Sequence, residues 1–283
     1  MTTKPIELLK LQLAAYEKQV LPDLLSKHGI SPQQFVQVVL SEIKKNEKLL
    51  QAFQDNPSSM FASILAGAEV GLIPSDMLGE FYLIPRMIKN KMTVTPLIGY
   101  KGMVAILLRT GEITRIHTEV VYDCDIFEPT YGLEPSIKHI PVFEKPRKAA
   151  NIKAAYAVAK NKSGEYNFCV VTRQEIEGVK AMSRYDNELY FNDAKNPNRW
   201  MEKKVALSQL SKMLPKDYYS KKAISMDAMV EGGALLQLDD NNQIRIVENT
   251  PIRPTRFRNI YGTINANPPT PLSNLESSIE AQK

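Results

Sequence analysis

The sequence predicts an α+β fold in which N-terminal helices precede a β-hairpin and a small antiparallel sheet packed on helices, followed by a flexible C-terminal tail. Apolar residues recur at helical intervals through the first 70 residues, which is typical of amphipathic helices. Short runs of Ile, Val, Tyr and Thr between turn residues dominate up to about residue 171, as in strands. Prolines punctuate a polar stretch after residue 237. We therefore expect a folded core at 1–236 and a linker with a short C-terminal segment at 237–283.

Prolines mark the N-terminal helices. Pro22 is expected to kink or interrupt the first helix. Ser31-Pro32 and Asn56-Pro57 each place a polar cap before a proline, and this order suits the first turn of a helix. The helix that begins after Asn56 should end around Gly71, because glycine favours the left-handed conformation that terminates helices.

A β-hairpin is predicted next. The apolar runs Glu80–Pro85 and Met92–Leu97 lie on either side of the polar link Lys89-Asn90-Lys91, as in two strands joined by a tight turn. The chain then enters a helix that Gly111 closes. Strand-like residues follow over Ile113–Phe127.

A second hairpin is predicted at Ile152–Lys160 and Tyr166–Val171, around the turn residues 161–164. Thr172 and Glu175 form a capping box, so a helix should follow. The remaining predicted elements are a helix at Trp200–Leu214, a helix at Lys222–Leu236, a mostly irregular linker at 237–270 and a short amphipathic helix at 272–283.

The composition indicates a globular protein of the cytoplasm. Hydrophobic residues make up 43% and charged residues 24% of the 283 residues, which is ordinary for a globular chain. No apolar run reaches the roughly 18 to 20 residues of a membrane helix, and the N-terminus lacks the layout of a signal peptide. The chain has two cysteines, too few for a disulfide scaffold.

Motifs for catalysis and cofactors are missing from the sequence. No phosphate-binding loop of the GxxxxGK[ST] type, no GxGxxG after a strand and no GxSxG elbow occurs. The histidines and cysteines are scattered, which argues against a zinc site. A nuclease needs clustered carboxylates; Asp123 and Asp125 are neighbours, with Glu128 and Glu134 downstream, but no lysine follows in the expected arrangement. We expect no cofactor and no enzymatic activity.

The positive charge is concentrated in the middle of the chain. The net charge is +5. Residues 81–230 carry 24 basic and 16 acidic side chains, a surplus of eight, whereas residues 1–80 and 231–283 are slightly acidic. Such a distribution is expected of a core that binds a polyanion, although a basic surface can also serve solubility alone.

Two segments in this basic centre combine charge with suitable backbone. Gly99-Tyr100-Lys101-Gly102 joins the first hairpin to a helix, so its amides and Lys101 either meet an anion at the helix N-terminus or form a plain turn. Arg109 and Arg115 flank or belong to the next strand. They either face phosphate or pair with Glu112 or Glu119.

The third segment is the helix that starts at Trp200. Leu207, Leu210 and Leu214 fall on one stripe of this helix. A neighbouring polar face, suited to gripping consecutive phosphates, is predicted for Lys204, Ser208, Ser211 and Lys212. Trp200, the sole tryptophan, either stacks on a base or anchors the helix in the core, and the core position is favoured.

At these residues the chain resembles the RecT family of phage-type single-strand annealing proteins. The resemblance covers roughly residues 30–236 and includes MFASILAGAEVGLIPSD before the first hairpin. It rests on several segments in the right order: LIGYKGMVAILLRTG at 97–111, the strand after it, GLEPSIKHIP at 132–141, the helix at 200–215 and the helix at 222–236.

The resemblance implies a compact, Rad52-like α+β core that binds single-stranded DNA and the annealed duplex. It also implies a homo-oligomer, either a ring or a helical filament, that pairs complementary strands in homologous recombination without ATP. The expected partners are an exonuclease that exposes the strand and a host single-stranded DNA-binding protein, which the C-terminal segment contacts. A metal-dependent exonuclease of the same pathway and a non-annealing single-stranded DNA-binding protein are the alternatives.

The candidate DNA contacts come from two sources. The resemblance, carried over by position, implies Arg86, Lys101, Arg109, Arg115, Lys203, Lys204 and Lys212. Chemistry and position in the basic centre add Tyr82, Tyr100, Lys180, Arg184 and Arg199.

Overall fold

Five helices open the chain in the computed structural model, which describes residues 5–182 and 192–248. They are α1 (Pro5–Gln19), α2 (Leu21–Leu25), α3 (Pro32–Lys45), α4 (Glu47–Asp55) and α5 (Pro57–Glu69). The predicted interruption at Pro22 is confirmed, since this residue lies in the first turn of α2. Asn56 caps α5 as predicted, because its side chain accepts a hydrogen bond from the backbone N–H of Ser59 at 3.2 Å.

The first predicted hairpin and the helix after it are confirmed. Strands β1 (Phe81–Ile88) and β2 (Lys91–Ile98) pair antiparallel. Lys89 and Asn90 both have positive φ, at 49° and 61°, which is the backbone that a two-residue hairpin turn requires. Helix α6 (Tyr100–Arg109) follows directly.

A three-stranded antiparallel sheet forms the second half of the core. Its order is β3 (Ile113–Tyr122), β6 (Ile152–Asn161) and β7 (Tyr166–Thr172), and the predicted β6–β7 hairpin is confirmed. Between β3 and β6 lies a hairpin that the sequence did not predict, formed by β4 (Ile126–Thr130) and β5 (Ser136–Ile140).

The C-terminal elements differ in part from the prediction. They are α7 (Arg173–Met182), which the predicted capping box opens, α8 (Trp200–Ser211), α9 (Tyr218–Glu231), β8 (Ala234–Leu238) and β9 (Ile244–Glu248).

Helix α9 starts four residues before the predicted Lys222, because Asp217 accepts a hydrogen bond from the N–H of Ser220 at 2.7 Å and caps the helix. The helix also ends earlier than predicted, at Gly232 and Gly233, and β8 and β9 then pair as a hairpin. The prediction of irregular chain is therefore wrong for residues 237–248. The rest of the predicted linker and the amphipathic helix at 272–283 lie outside the described residues.

Helix α5 is the central element of the N-terminal half. It is buried over most of its length and packs against both β2 and β8. Its serines bond the strands: Ser59 Oγ accepts from the N–H of Val94 at 3.1 Å, and Ser63 Oγ donates to the carbonyl of Val94 at 3.3 Å. Ser58 Oγ accepts from the N–H of Leu238 at 2.8 Å and lies 3.3 Å from its carbonyl oxygen. Small polar residues thus fix two hairpins to one helix.

The sheet is covered on both faces. Helix α8 packs on β6 and β7, where Ala155, Ala157 and Ala159 are fully buried and let the helix approach closely. Tyr156, on the other face of β6, packs with Phe127 of the β4–β5 hairpin. In the part of the chain that the structure describes, no helix is both long and apolar enough to cross a bilayer.

Candidate nucleic-acid interface

A cleft of about 220 Å³ opens where β1, the start of α6 and the start of α8 meet. Three aromatic and three charged side chains line it together with apolar neighbours: Tyr82, Tyr100, Trp200, Asp76, Lys101, Lys204, Leu97 and Met201. Four of the predicted contacts, Tyr82, Tyr100, Lys101 and Lys204, are thus brought to one place.

The ring of Trp200 stacks on the ring of Tyr100, with centroids 5.0 Å apart and planes at 26°. Tyr100 is held from its other end, because its hydroxyl lies 2.6 Å from the hydroxyl of Thr118 on β3. Trp200 keeps 38% of its surface exposed. The favoured core position for Trp200 is therefore wrong. Trp200 is the exposed member of the aromatic pair, and Tyr100 is half-buried.

Arg199 fixes the start of α8 and thereby the position of Trp200. It is buried, and its guanidinium donates to the hydroxyl of Tyr122 and the carbonyl of Asn196, both at 3.3 Å, and bonds Asp193 as well. These bonds hold Arg199 in the left-handed conformation, with φ of 57°, which is unfavourable for residues other than glycine. Arg199 therefore acts as an anchor, and its buried guanidinium counts against the predicted DNA contact.

Close packing of the backbone requires glycine at positions 99 and 102. A Cβ on Gly99 would lie 2.3 Å from the carbonyl oxygen of Gly79 and 2.9 Å from the Tyr82 ring. A Cβ on Gly102 would lie 2.1 Å from the carbonyl oxygen of Glu80. Any side chain would collide with this backbone. The two glycines allow the chain before β1 to pack on the start of α6, and Gly99 also lines the cleft.

Adjacent lysines of α8 have unlike surroundings. Lys203 pairs with Glu119 of β3 at 2.9 Å, and its ammonium lies 5.6 Å from the centre of the Trp200 ring. Lys204 is buried between two carboxylates of α9, at 2.8 Å from Asp227 and 2.7 Å from Glu231. Burial disfavours the ammonium, but these two carboxylates outweigh it and raise the pKa of Lys204 above its usual value.

The predicted polar face of α8 is therefore wrong for two of its four residues, whereas Lys212 is exposed and Ser208 is half-buried. Lys204 and Ser211 are buried, and the Ser211 hydroxyl donates to the carbonyl of Ser208. The predicted apolar stripe of Leu207, Leu210 and Leu214 is confirmed as core. Because α8 contacts the sheet on one side and α6 on another, residues beside the stripe are covered too.

Arg109 holds the fold together at the end of α6. Its guanidinium donates to the carbonyls of Val70 and Gly71, each at 3.0 Å. These carbonyls follow the last turn of α5, where a helix leaves its acceptors unpaired. The side chain is partly exposed, yet its hydrogen bonds explain the arginine without DNA.

Lys101, in the first turn of α6, and Arg115, on β3, face solvent. Both are exposed. Glu112 and Glu119, which were the alternatives to phosphate as partners of Arg115, pair with Lys162 and Lys203. Within residues 5–182 and 192–248, neither Lys101 nor Arg115 takes part in an ion pair.

The remaining candidates lie on other elements. Arg86 lies opposite Thr93 in the first hairpin, and Lys180 is part of α7. Lys212, at the end of α8, donates a hydrogen bond to the side chain of Gln209 at 2.7 Å. Arg184 lies outside the described residues.

Comparison with known proteins identifies the family. The model of the RecT family matches residues 33–244, a range that contains the cleft, the sheet and α8. Protein RecT of Escherichia coli (strain K12) is 31% identical over 216 residues, which cover 74% of this chain and 76% of that protein. The chain belongs to the RecT family. The resemblance seen in the sequence is thereby confirmed, and it supports a recombination-related single-strand annealing role.

In this RecT-family chain Asp125, one of the acids considered for a nuclease site, has a structural role. Asp125 is buried and accepts hydrogen bonds from the N–H groups of Tyr122 and Val142, from Arg147 at 2.6 Å and from His139 at 3.2 Å. Burial opposes its ionisation, but these donors outweigh burial and hold the pKa of Asp125 well below its usual range. Among the described residues, no group of three or more His, Cys, Asp or Glu side chains is placed to hold a metal ion.

One residue of the sequence, Lys203, could have indicated that Trp200 is exposed. Positions 200, 203, 207 and 210 form one helical stripe, so the buried leucines suggested that Trp200 continued the core. Lys203 lies on that stripe between Trp200 and Leu207, and it marks where the stripe leaves the core. No comparable signal pointed to Asp76 on the rim of the cleft.

Proposed function

We propose that the chain binds single-stranded DNA by its phosphates, oligomerises and pairs complementary strands without ATP. Membership of the RecT family carries the proposal. Exposed Lys101 and Arg115 support it, because their charge is available to phosphate. Lys203, whose ammonium lies over the Trp200 ring, is a third proposed contact, whereas the buried Lys204 and Arg199 are left out of the binding set.

Contacts to phosphate suit annealing because they leave the base edges free to test a partner strand. A basic surface also screens the repulsion between two strands. Base pairing and stacking supply the free energy, about 1.4 kcal/mol per step, so no hydrolysis is required.

Self-association with a second copy is supported by the β4–β5 hairpin and the loop after it. Apolar side chains that a monomer would normally cover are exposed there: Ile126, Tyr131, Leu133, Ile140 and Phe143. Such patches mark interaction surfaces. Linked copies add weak phosphate contacts along one strand and give cooperative binding, in a ring or a helical filament. An exonuclease and a host single-stranded DNA-binding protein are the proposed partners, the latter through the C-terminal segment.

The test is pairing of two labelled complementary strands in nucleotide-free buffer containing EDTA. The protein should accelerate pairing relative to buffer alone. Strict dependence on ATP or on a divalent ion would contradict the proposal.

A second candidate is a binder that protects single strands without annealing them. The exposed stack of Tyr100 and Trp200 favours it, since protective binders stack bases on aromatic side chains. The same assay distinguishes the two functions, because a protective binder slows pairing while it shields the strand from nuclease.

A further inference from the structure

We infer that the cleft lined by Tyr82, Tyr100 and Trp200 takes up one unstacked nucleobase of the bound strand, an inference that rests on the DNA binding proposed above. Its ligand is the base itself, whereas the proposed phosphate contacts concern the backbone. The cleft would thus hold one base per subunit while the neighbouring bases remain free.

The size and walls of the cleft suit one planar ring system. Its volume of about 220 Å³ is below the roughly 300 to 1,000 Å³ of clefts that bury whole drug-sized ligands. Leu97 and Met201 give it apolar walls, and Tyr82 contributes a third ring. Burial, together with the charge of Asp76, raises the pKa of Tyr82, so this side chain stays neutral and can meet a base.

The aromatic pair in the cleft is ordered before any ligand arrives. Thr118 holds the Tyr100 hydroxyl at 2.6 Å, and the buried Arg199 fixes the first turn that carries Trp200. A preordered platform loses little conformational freedom when it binds. Stacking on such rings tolerates any base, because every base has a π-face.

The charges around the cleft orient a nucleotide with its base inward. Asp76, Lys101 and Lys204 are the charged residues that line the cleft. Because two carboxylates already pair with Lys204, the carboxylate of Asp76 would repel a phosphate placed inside. Lys101 is exposed on the rim, and Lys203 lies by Trp200, so both can bind the phosphates on either side of an inserted base. The arrangement therefore selects a base over a phosphate as the occupant.

Trp200 is the sole tryptophan, so its emission reports on the cleft directly. The full-length protein is titrated with an oligonucleotide and with an abasic strand of equal length and charge, and binding is followed independently by the anisotropy of a label on the strand. We expect both strands to bind and only the base-bearing strand to quench Trp200. Equal quenching by both, or binding of the base-bearing strand without quenching, would overturn the inference while leaving phosphate binding intact. Failure of both strands to bind would overturn the proposed function as well.

A pair of tyrosine variants provides the second test. Tyr82→Leu should weaken binding of the base-bearing strand about 5- to 100-fold, as expected for loss of a base–aromatic contact, and leave binding of the abasic strand unchanged. Tyr166→Leu is the matched control, because Tyr166 is an exposed tyrosine of β7 that lies outside the cleft. Its ring is near Lys160 of β6. Equal losses in the two variants, or an equal loss for both strands in Tyr82→Leu, would contradict a base site.

Discussion

The ammonium of Lys204 lies 2.8 Å from one carboxylate oxygen of Asp227, and the other oxygen accepts the N–H of Ile98 at 3.0 Å. Ile98 is the last residue of β2, directly before Gly99, which lines the cleft. One buried ion pair thus joins α8 and α9 to the strand that leads into α6. The position of the cleft depends on this pair.

Replacing Lys204 by Met should destabilise the protein by about 3 to 5 kcal/mol, because it leaves Asp227 and Glu231 without their buried partner. Lys203→Met, one residue earlier in the same helix, should cost less than about 1 kcal/mol, since its ion pair is partly exposed. Urea unfolding measures both. Similar losses in the two variants would show that burial of Lys204 is not what makes it important.

Lys101→Ala and Arg115→Ala should each weaken binding of single-stranded DNA by about 1 to 3 kcal/mol, as for charge-assisted contacts. Each should also lower the slope of log affinity against log salt by about 0.7, with thermal stability unchanged. Lys10→Ala, which removes a lysine paired with Glu7 on α1, is the control and should alter neither. An unchanged salt slope in Lys101→Ala would place this lysine outside the phosphate path.

Asp125→Asn should make stability less dependent on acid. The folded-state pKa of Asp125 lies below its usual value, so its carboxylate stabilises the fold above the unfolded pKa of about 3.9 and loses this effect as the pH falls. We expect the variant to be about 1.5 to 3 kcal/mol less stable at neutral pH. The gap to the unmodified protein should close progressively below about pH 4.

Asp123→Asn is the control for this pH dependence, because Asp123 is an exposed neighbour on the same turn. Its unfolding free energy should follow that of the unmodified protein across the whole range. A gap for Asp125→Asn that stays constant down to pH 2 would mean that ionisation of Asp125 does not contribute.

Leu133→Asp should shift the protein toward smaller assemblies, because it places a charge on the exposed apolar surface of the β4–β5 hairpin. Light scattering with and without single-stranded DNA measures the change. Leu11→Asp, at an exposed apolar position on α1, should leave the assembly unchanged. The reverse result would move the subunit interface to α1.

Truncation after Glu248 should leave a protein that binds and anneals bare oligonucleotides, because β8 and β9 remain paired. Annealing on strands coated with a host single-stranded DNA-binding protein should fall, if the removed segment contacts that partner. Truncation after Leu238, two residues beyond the end of the core predicted from the sequence, should instead destabilise the protein, since it strips β9 from β8. Loss of annealing on bare DNA after truncation at Glu248 would assign the tail to the core.

Local signals explain what the sequence predicted well. Asn56 before Pro57, the polar pair Lys89-Asn90 and the capping box at Thr172 each determine their own turn or helix start. Their geometry depends on a few neighbouring residues, so it can be read without the rest of the fold.

The missed features depend on residues far apart in the chain. Lys203 and Lys204 look alike in sequence, and their roles differ because Glu119 meets one and Asp227 the other. The β8–β9 hairpin contains the turn residues Asp239 and Asn242, but its strands are short. It becomes part of the core because α5 offers a surface to it.

The hydrogen bond between Ser58 and Leu238 also affects the order in which the nascent chain folds. These residues are 180 positions apart, and a ribosome adding about 5 to 20 residues per second needs about 10 to 40 s to bridge them. Throughout that interval α5 lacks β8, and the lining residues of the cleft, from Asp76 to Lys204, are all made before β8. Packing of β8 on α5 therefore comes last, after the residues of the cleft have been translated. A chain that is released before β8 is made carries the cleft residues on a core that still lacks this packing.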